Sequence, residues 1–279
     1  NDRRDGRSRL RGIRPERKPQ MTQEQANERF NYAATVSNLL EKEDIFCSPE
    51  VIEDECKEFD DMGGETGLKE DLYRGIIAHG FEVPSKIQSY AIPQILKGRE
   101  ILAQSQSGTG KTGAFIISTL QIIDENLNKP QAIILVPTSD LAHQILIVGK
   151  AISQFMPNVH FSFTSGGCDR ANNIRELGAT YHGKTDDKVA QIIIATPGRL
   201  IDLINEFPEV FQQIKLMIVD ECDELLSGNF QEELKKIIRG LPEKLQICLF
   251  SATLTDETVA LADIILKNSV KILIKKEKM

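Results

Sequence analysis

Seven short hydrophobic runs constrain the fold of this chain more than any other feature. Most are apolar throughout and rich in isoleucine and valine, with no polar alternation. The runs are EILAQ (100–104), AIILV (132–136), HFSF (160–163), IIIA (192–195), LMIV (216–219), ICLF (247–250) and VKILI (270–274). Strands of this kind are buried on both faces, as in a parallel sheet covered by helices. The sequence therefore predicts an α/β fold with a mostly parallel central sheet flanked by helices.

Length and composition exclude several classes of protein. The chain has 279 residues, of which 41% are hydrophobic, enough for a core in one or two domains. No apolar run reaches the roughly 18 residues of a membrane-spanning helix, so no membrane partner is expected. The five cysteines are odd in number and form no CxxC pair, which favours reduced thiols in an intracellular protein. We expect the cytoplasm first and the nucleus second.

Charge and periodicity divide the chain into three parts. Residues 1–20 hold eight basic and three acidic residues and read as a basic disordered arm. Residues 21–58 combine an amphipathic helix, predicted over 22–45, with an acidic linker; residues 41–61 hold ten acidic and two basic residues. The helix either packs on the domain or binds a partner. Residues 59–279 form the predicted α/β domain.

Small polar or charged clusters follow six of the seven runs. In chain order, the clusters are SQSGTGKT, PTSD, TSGG, TPGR, DECD and SAT. They follow the runs EILAQ, AIILV, HFSF, IIIA, LMIV and ICLF, respectively. Ligands of open parallel sheets bind outside the carboxyl ends of the strands. The clusters therefore predict one functional edge.

The first of these clusters, SQSGTGKT (105–112), predicts a phosphate-binding loop. Gly108 and Gly110 allow backbone N–H groups to turn toward phosphate oxygens at a helix N-terminus. Lys111 would reach the β- and γ-phosphates, and the Thr112 hydroxyl would hold Mg²⁺. Ser105 departs from the general pattern GxxxxGK[ST], in which this position is glycine. The predicted nucleotide-binding residues are Ser105, Gln106, Ser107, Gly108, Thr109, Gly110, Lys111 and Thr112.

Two carboxylates after the run LMIV supply a second, independent signal. Asp220 fits a hard oxygen ligand of nucleotide-bound Mg²⁺, largely through water. Glu221 fits the group that orients or deprotonates an attacking water. Together with the phosphate-binding loop, these residues predict a nucleoside triphosphatase.

The full set of motifs resembles the first RecA-like domain of a DEAD-box RNA helicase, a superfamily 2 enzyme, over residues 59–279. The motifs are GFEVPSKIQ (80–88), Thr196-Pro197-Gly198-Arg199, Asp220-Glu221-Cys222-Asp223 and Ser251-Ala252-Thr253, in the order and spacing of that family. FDDM, RGIIAHGFEVPSKIQ and KILIKKEKM are most similar to the translation-initiation branch. AQSQSGTGKT resembles the mRNA-export branch, and DECD the splicing and export branch, so the subfamily stays open.

The resemblance assigns roles to matching residues. It implies ATP as the nucleotide, with Gln88 reading the adenine edge and Phe59 stacking on the ring, and Asp223 bonded to Ser251 and Thr253. It implies a catalytic set and a set that grips the RNA backbone without reading sequence. The catalytic set is Lys111, Asp220, Glu221, Asp223, Ser251 and Thr253. The RNA-binding set is Pro137, Thr138, Gly166, Gly167, Thr196, Pro197, Gly198 and Arg199.

The chain also departs from the family pattern. Ser139-Asp140 stands where Arg-Glu is usual, which puts RNA affinity in question. The interval from Phe59 to Gly80 is about four residues longer than usual, with GGET as the expected insertion, so Phe59 is at risk of missing the adenine. A second insertion, around GATYHGKTDD (178–187), is expected on a surface loop.

No segment resembling a second RecA-like domain follows in the sequence, and the resemblance implies that such a domain supplies the arginine fingers. We therefore expect this chain alone to hydrolyse ATP poorly and to need that domain in cis. The two functional hypotheses are the catalytic half of an RNA helicase with RNA and protein partners, and a non-catalytic regulator that binds adenine nucleotide and a protein.

Overall fold

The computed structural model describes residues 45–179, 188–227 and 230–274. The basic arm, almost all of the helix predicted over 22–45 and most of the insertion at 178–187 lie outside the described residues. The strands are β1 (Ile45–Cys47), β2 (Ile101–Gln104), β3 (Ala132–Leu135), β4 (Phe161–Thr164), β5 (Ile192–Ala195), β6 (Leu216–Val219), β7 (Gln246–Ser251) and β8 (Val270–Ile274).

Helices follow most of the strands along the chain. They are α1 (Pro49–Ile52), α2 (Glu70–Ala78), α3 (Lys86–Leu96), α4 (Lys111–Ile122), α5 (Ser139–Ile152), α6 (Arg170–Glu176), α7 (Pro197–Glu206), α8 (Cys222–Leu225), α9 (Phe230–Arg239) and α10 (Asp256–Ile265). Short 3₁₀ turns cover Phe59–Asp61, Gly64–Thr66 and Pro208–Gln213. In the described part of the chain, no helix has the length and apolar character needed to cross a bilayer.

All eight strands form one sheet in the order β1-β8-β2-β7-β6-β3-β5-β4. Strands β2 to β8 run parallel to one another, which confirms the predicted fold class and all seven predicted strands. β1 pairs antiparallel with β8, with Ile45 opposite Ile274. The prediction of a linker up to residue 58 is therefore wrong for residues 45–52, where a strand and a short helix join the domain.

Successive residues of each strand pack into different layers. Ile101 and Ala103 of β2 face the layer that contains α2 to α5, and Leu102 faces the layer that contains α6 to α10. Both layers are closely packed with buried aliphatic and aromatic side chains. This two-sided burial explains why the strands lack polar alternation.

Polar residues after the strands also begin the helices. The Thr138 hydroxyl accepts a hydrogen bond from the Leu141 N–H, the Asp169 carboxylate from Ala171, and the Thr255 hydroxyl from Thr258. Such residues bind the unpaired N–H groups of a first helical turn. Thr138 of the PTSD cluster, and Asp169 and Thr255 shortly after the TSGG and SAT clusters, therefore have a structural role as helix caps.

Candidate active site and nucleic-acid interface

The strand order sorts the predicted site residues into two halves of one edge. The neighbouring strands β2, β7 and β6 end in SQSGTGKT, SAT and DECD. The neighbouring strands β3, β5 and β4 end in PTSD, TPGR and TSGG. The residues predicted to bind nucleotide therefore lie side by side, and the residues predicted to bind RNA lie beside them.

Residues 105–110 connect β2 to α4 as a compact loop. Gly108 and Gly110 have φ values of 80° and 104°, in the left-handed region that favours glycine. A Cβ at Gly110 would also lie 2.7 Å from Ser85 Oγ and 2.9 Å from Gln88 Nε2. Gly110 is therefore required both by its backbone conformation and by the space around it.

Ser105 fits the loop without strain at the position where glycine is usual. Its backbone φ is not positive, and its side chain is buried against Thr109, with 2.5 Å between the two hydroxyl oxygens. Its N–H donates to the carbonyl of Ser251 at 3.1 Å. This bond joins the start of the loop to the SAT cluster at the end of β7.

The Lys111 ammonium group lies inside the loop. It donates to the carbonyls of Ser105 and Gln106, with 3.1 Å from Nζ to the Gln106 oxygen. Burial lowers the pKa of Lys111, and the negative charge of Asp220 opposes that shift. A phosphate group in the loop would offer this buried cation a stronger partner than two neutral carbonyls.

The two carboxylates after β6 occupy different environments. Asp220 is 4% exposed and accepts a hydrogen bond from the Glu221 N–H at 3.0 Å. Burial raises the pKa of Asp220 to about 6. Glu221 is more exposed and has left-handed backbone, with φ 50° and ψ 47°, which a residue other than glycine rarely adopts. Backbone strain of this kind is concentrated at functional sites.

One cavity of about 380 Å³ joins the loop to these carboxylates. The predicted residues on its wall are Ser107, Gly108, Gly110, Lys111, Thr112, Asp220 and Glu221. The Thr112 hydroxyl and the Asp220 carboxylate are hard oxygen donors, which suit Mg²⁺. Among the described residues, no group of three or more acidic, histidine or cysteine side chains could hold a metal. Two protein oxygen donors, from Thr112 and Asp220, fit an ion whose remaining ligands would be phosphate and water.

The same cavity has a wall that the sequence prediction missed. The additional lining residues are His79, Phe81, Leu141, Gln144 and Val148. The His79 and Phe81 rings meet edge to face with centroids 4.8 Å apart. Phe81 lies within GFEVPSKIQ, seven residues before Gln88. An aromatic residue this close to Gln88 could have been predicted to line the nucleotide site. Gln144 and Val148 carry no comparable signal, because they lie in the middle of α5.

Gln88 contacts the phosphate-binding loop directly. Its Oε1 accepts from the Ser85 N–H at 2.8 Å and its Nε2 donates to the Gly110 carbonyl at 3.2 Å. The side chain is 2% exposed. Both ends of the amide therefore bond to protein groups, and its adenine-reading role stays a prediction.

The structure contradicts the stacking role predicted for Phe59. This ring is 2% exposed and lies in the core, nearly parallel to Phe81, with 6.5 Å between the ring centroids. The expected insertion folds as a turn at Gly64–Thr66. Phe59 therefore packs in the core beside Phe81, and neither face of its ring is exposed to a ligand.

The SAT and DECD clusters are in contact. The Thr253 hydroxyl donates to Asp223 Oδ2 at 2.5 Å, as predicted. The Ser251 hydroxyl instead bonds to the Thr253 backbone and accepts from its N–H at 3.0 Å. The predicted bond between Asp223 and Ser251 is therefore replaced by a tight turn that fixes Thr253.

In the second half of the edge, Arg199 holds the loop that follows β4. It donates to the carbonyls of Gly166 and Cys168, each at 3.3 Å, and to the Asn173 side chain at 3.2 Å. Gly166, Gly167 and Gly198 are exposed and Thr196 is half-buried, whereas Pro197 is buried. Arg199 therefore holds the loop that contains Gly166 and Gly167, which belong to the same predicted RNA-binding set.

The predicted PTSD segment is divided in the same way. Pro137 is buried, and Thr138 is exposed at the start of α5. Ser139 and Asp140, where the family pattern has Arg-Glu, are exposed on the first turn of α5. An acidic side chain therefore occupies the interface predicted for RNA phosphates.

Comparisons with known proteins agree with this geometry. Residues 85–261 match the family model described as DEAD/DEAH box helicase. The chain is 42% identical over 213 residues to eukaryotic initiation factor 4A of Dictyostelium discoideum, covering 76% of this chain and 50% of that protein. It is 42% identical over 221 residues to the ATP-dependent RNA helicase FAL1 of Coccidioides immitis, covering 79% and 52%.

Two solved structures share the fold. Saccharomyces cerevisiae Dbp5 bound to RNA and ADP BeF3 superposes with a TM-score of 0.67 at 33% identity, covering 79% of this chain and 52% of that one. A DEAD box protein from the hyperthermophile Methanococcus jannaschii gives 0.68 at 31% identity, covering 79% and 57%. The chain spans about half the length of the curated relatives that it matches.

Proposed function

Because the chain belongs to the DEAD/DEAH box helicase family, we propose that it is the ATP-binding half of an ATP-dependent RNA helicase that remodels RNA or ribonucleoprotein. The strand order is the observation that supports this proposal most strongly. The strands that end in the phosphate-binding loop, SAT and the two carboxylates are next to the three strands whose following segments are predicted to bind RNA. The relatives named as ATP-dependent RNA helicases and the structural neighbour bound to RNA and ADP BeF3 support this function.

We propose that ATP binds in the cavity of about 380 Å³. Backbone N–H groups of residues 105–112 and Lys111 would bind the phosphates, and Thr112 and Asp220 would hold Mg²⁺, which neutralises charge on the phosphate oxygens when bound. The adenine end would lie near Gln88 and Phe81, since both side chains approach Gly113 within 3 Å of where a Cβ would stand.

Hydrolysis needs a water aligned with the γ-phosphate, and we assign its orientation to Glu221. Glu221 is more exposed than Asp220 and lines the cavity, so it can accept a proton from a water there. The bond from Thr253 to Asp223 links this strand end to SAT. We propose that a second RecA-like domain in cis supplies cationic groups for the transition state, an effect worth about 10³–10⁵ in rate in related reactions.

We propose that RNA crosses the ends of β3, β5 and β4. Thr138, Gly166, Gly167 and Gly198 are small and exposed, and Thr196 is half-buried beside them. Such residues let an RNA strand approach the backbone closely, which suits sugar–phosphate contacts that carry no sequence information. Arg199 would act by holding the loop after β4 in place. Protein partners and a cytoplasmic location belong to the same proposal.

One observation favours the regulatory alternative. Ser139 stands where the family pattern has Arg, so the interface lacks a cation that would attract RNA phosphate. Against it stands the arrangement of Lys111, Asp220 and Glu221 around one cavity, which a non-catalytic scaffold does not need.

The test measures binding of a fluorescent ATP analogue, with ATP and GTP as competitors, and of single-stranded RNA to the same preparation. We expect competition by ATP but not GTP, Mg²⁺-dependent affinity, and loss of nucleotide binding in Lys111→Ala. Lys236→Ala, at an exposed position of α9, is the control. Equal competition by GTP would contradict the adenine assignment, and failure to bind any nucleotide would contradict the function.

A further inference from the structure

Every polar group of Ser105 has a partner within the fold. Its N–H donates to the Ser251 carbonyl at 3.1 Å, and its carbonyl accepts from the Lys111 ammonium group. Its hydroxyl oxygen lies 2.5 Å from the hydroxyl oxygen of Thr109. The Ser105 side chain is 1% exposed and lies outside the wall of the proposed ATP cavity. Ser105 can therefore affect a bound phosphate only through the residues that it holds.

The bond between the Ser105 and Thr109 hydroxyl groups has a defined direction. The Thr109 hydroxyl donates to the backbone carbonyl of Gln106 at 2.7 Å. A hydroxyl has one hydrogen and two lone pairs, so Thr109 has no second hydrogen to give to Ser105. Ser105 is therefore the donor and Thr109 the acceptor, and this bond crosses the loop from its first residue to Thr109.

The Gln106 carbonyl connects this chain of hydrogen bonds with Lys111. It accepts from the Lys111 ammonium group at 3.1 Å as well as from the Thr109 hydroxyl. The two lone pairs of a carbonyl oxygen can accept both donors. A phosphate that drew Lys111 away would leave the bonds from Ser105 to Thr109 and from Thr109 to Gln106 in place. These two bonds can therefore hold the loop both with and without a nucleotide.

The loop held in this way keeps N–H groups available for a ligand. Among the described residues, no backbone carbonyl accepts a hydrogen bond from the N–H groups of residues 106–110. Thr109 lies between Gly108 and Gly110, whose left-handed backbone only glycine adopts readily. Because glycine also leaves the backbone free to move, a fixed Thr109 supplies a constraint that its neighbours do not. Ordering a binding loop before the ligand arrives lowers the free-energy cost of binding.

We propose that the Ser105 hydroxyl is a positioning group for the phosphate-binding loop. Through Thr109 it holds the loop in its compact conformation, with the N–H groups free, before ATP binds. This inference rests on the proposed function and deepens it. It also gives a reason for serine where the general pattern has glycine, because glycine has no hydroxyl that could reach Thr109.

The experiment measures binding of ATP and of inorganic tripolyphosphate to the full chain, by competition with a fluorescent ATP analogue in the presence of Mg²⁺. Ser105→Ala should weaken binding of both ligands by about fivefold, the effect of one hydrogen bond. Equal losses are expected because the change acts on the phosphate end of the site. Ser105→Gly, which restores the general pattern, should bind both ligands no more tightly than Ser105→Ala does.

A double-mutant cycle tests whether Ser105 acts through Thr109. Thr109→Val keeps the shape of the side chain, removes both hydroxyl bonds and should weaken ATP binding by about tenfold. In the Thr109→Val background, Ser105→Ala should cause no further loss, because its acceptor is already gone. Thr109→Ser keeps the hydroxyl and should restore ATP affinity to that of the wild type.

Ser118→Ala is the matched control. Ser118 is fully buried in α4, and its hydroxyl donates to the Ala114 carbonyl at 2.8 Å within the same helix. Its loss should leave the affinity for ATP and for tripolyphosphate unchanged. Thermal unfolding checks that each variant is folded, and the comparison of Thr109→Val with Thr109→Ser tests the inference even where a variant of Ser105 does not fold.

The possible failures are distinct. Wild-type affinity of Ser105→Ala for both ligands would overturn this inference and leave the proposed function standing. Additive losses in the double variant would overturn the action through Thr109, and a loss for ATP alone would place the effect at the base instead of the phosphates. Failure of tripolyphosphate to compete in the wild type would contradict a loop that is ordered for phosphate. Failure of the wild type to bind ATP would overturn the proposed function and this inference with it.

Discussion

The side-chain amide of Gln88 donates a hydrogen bond to the backbone carbonyl of Gly110, at a distance of 3.2 Å. The same amide accepts from the Ser85 N–H at the start of α3. Gly110 is the last residue of the phosphate-binding loop before Lys111. Gln88 therefore ties the position of α3 to the conformation of this loop.

Gln88→Ala is expected to weaken ATP binding even where the amide does not contact the base. Loss of the bond to Gly110 frees the loop, and we expect about fivefold to tenfold weaker binding, the equivalent of roughly one hydrogen bond. Isothermal titration calorimetry measures this. Gln154→Ala, at an exposed position two residues after α5, is the control and should bind like the wild type. Equal ATP affinity of the two variants would contradict a role of Gln88 in holding the loop.

The two stacked phenylalanines give opposite expectations. Phe81→Leu should weaken ATP binding by about fivefold, the scale of a lost aromatic contact to the base. Phe59→Leu should leave nucleotide affinity near that of the wild type and lower the free energy of unfolding by about 1 kcal/mol, because Phe59 is buried. Binding and thermal unfolding of both variants separate these effects. Weaker nucleotide binding by a stably folded Phe59→Leu would restore the stacking role to Phe59.

The sequence predicts the sheet well because burial on both faces leaves a local pattern in the composition of each strand. It misses β1 because three residues in an acidic segment gain their stability from pairing with β8, more than 220 residues away. Phe59 is misassigned for the same kind of reason. The sequence gives the spacing between Phe59 and Gln88. The burial of Phe59 against Phe81, however, depends on how the turn at 64–66 folds.

The site residues divide similarly. The loop around Lys111 and the carboxylates after β6 are predictable because their chemistry and spacing are local. Gln144 joins the site only through the packing of α5 against α4, and Arg199 turns to loop carbonyls that follow another strand. Neither arrangement leaves a pattern in the residues next to it.

The left-handed backbone of Glu221 predicts a trade between stability and activity. Glu221→Gly should raise the free energy of unfolding by about 1 kcal/mol, because glycine adopts this conformation without the steric cost. It should also abolish the low ATP hydrolysis expected of this chain while ATP still binds. Denaturant unfolding and a phosphate-release assay measure the two effects.

Asn268→Gly is the matched control for that strain. Asn268 also has a positive φ, of 55°, but it does not line the cavity. Asparagine tolerates left-handed backbone. We expect its unfolding free energy to change by less than about 0.5 kcal/mol and nucleotide binding to stay unchanged. A similar gain in both variants would show that Glu221 carries no special strain.

The acidic segment of residues 41–61 contacts the end of α3 through Asp54, and this contact predicts a pH-dependent contribution to stability. Asp54 pairs with Lys97, accepts from the Gln94 side chain at 3.1 Å and lies 3.6 Å from Arg99. Hydrogen bonds from Lys97 and then Gln94 lower the pKa of Asp54 below its usual value of 3.8. A lowered carboxylate pKa stabilises the fold above the unfolded-state pKa, and this stabilisation is lost as the pH falls through the folded-state value.

Asp54→Asn should therefore lower the free energy of unfolding by about 1 kcal/mol at pH 7, and by progressively less below pH 4. Urea unfolding at pH 7, 5, 4 and 3 measures the difference between the variant and the wild type. Asp71→Asn is the control, because Asp71 pairs with Arg74 one helical turn away, at 3.0 Å, where both side chains are about half exposed. Its effect should stay below about 0.5 kcal/mol at every pH. A difference for Asp54→Asn that is constant from pH 7 to 3 would show that the loss is one of packing rather than of charge, and that the acidic segment does not hold α3 electrostatically.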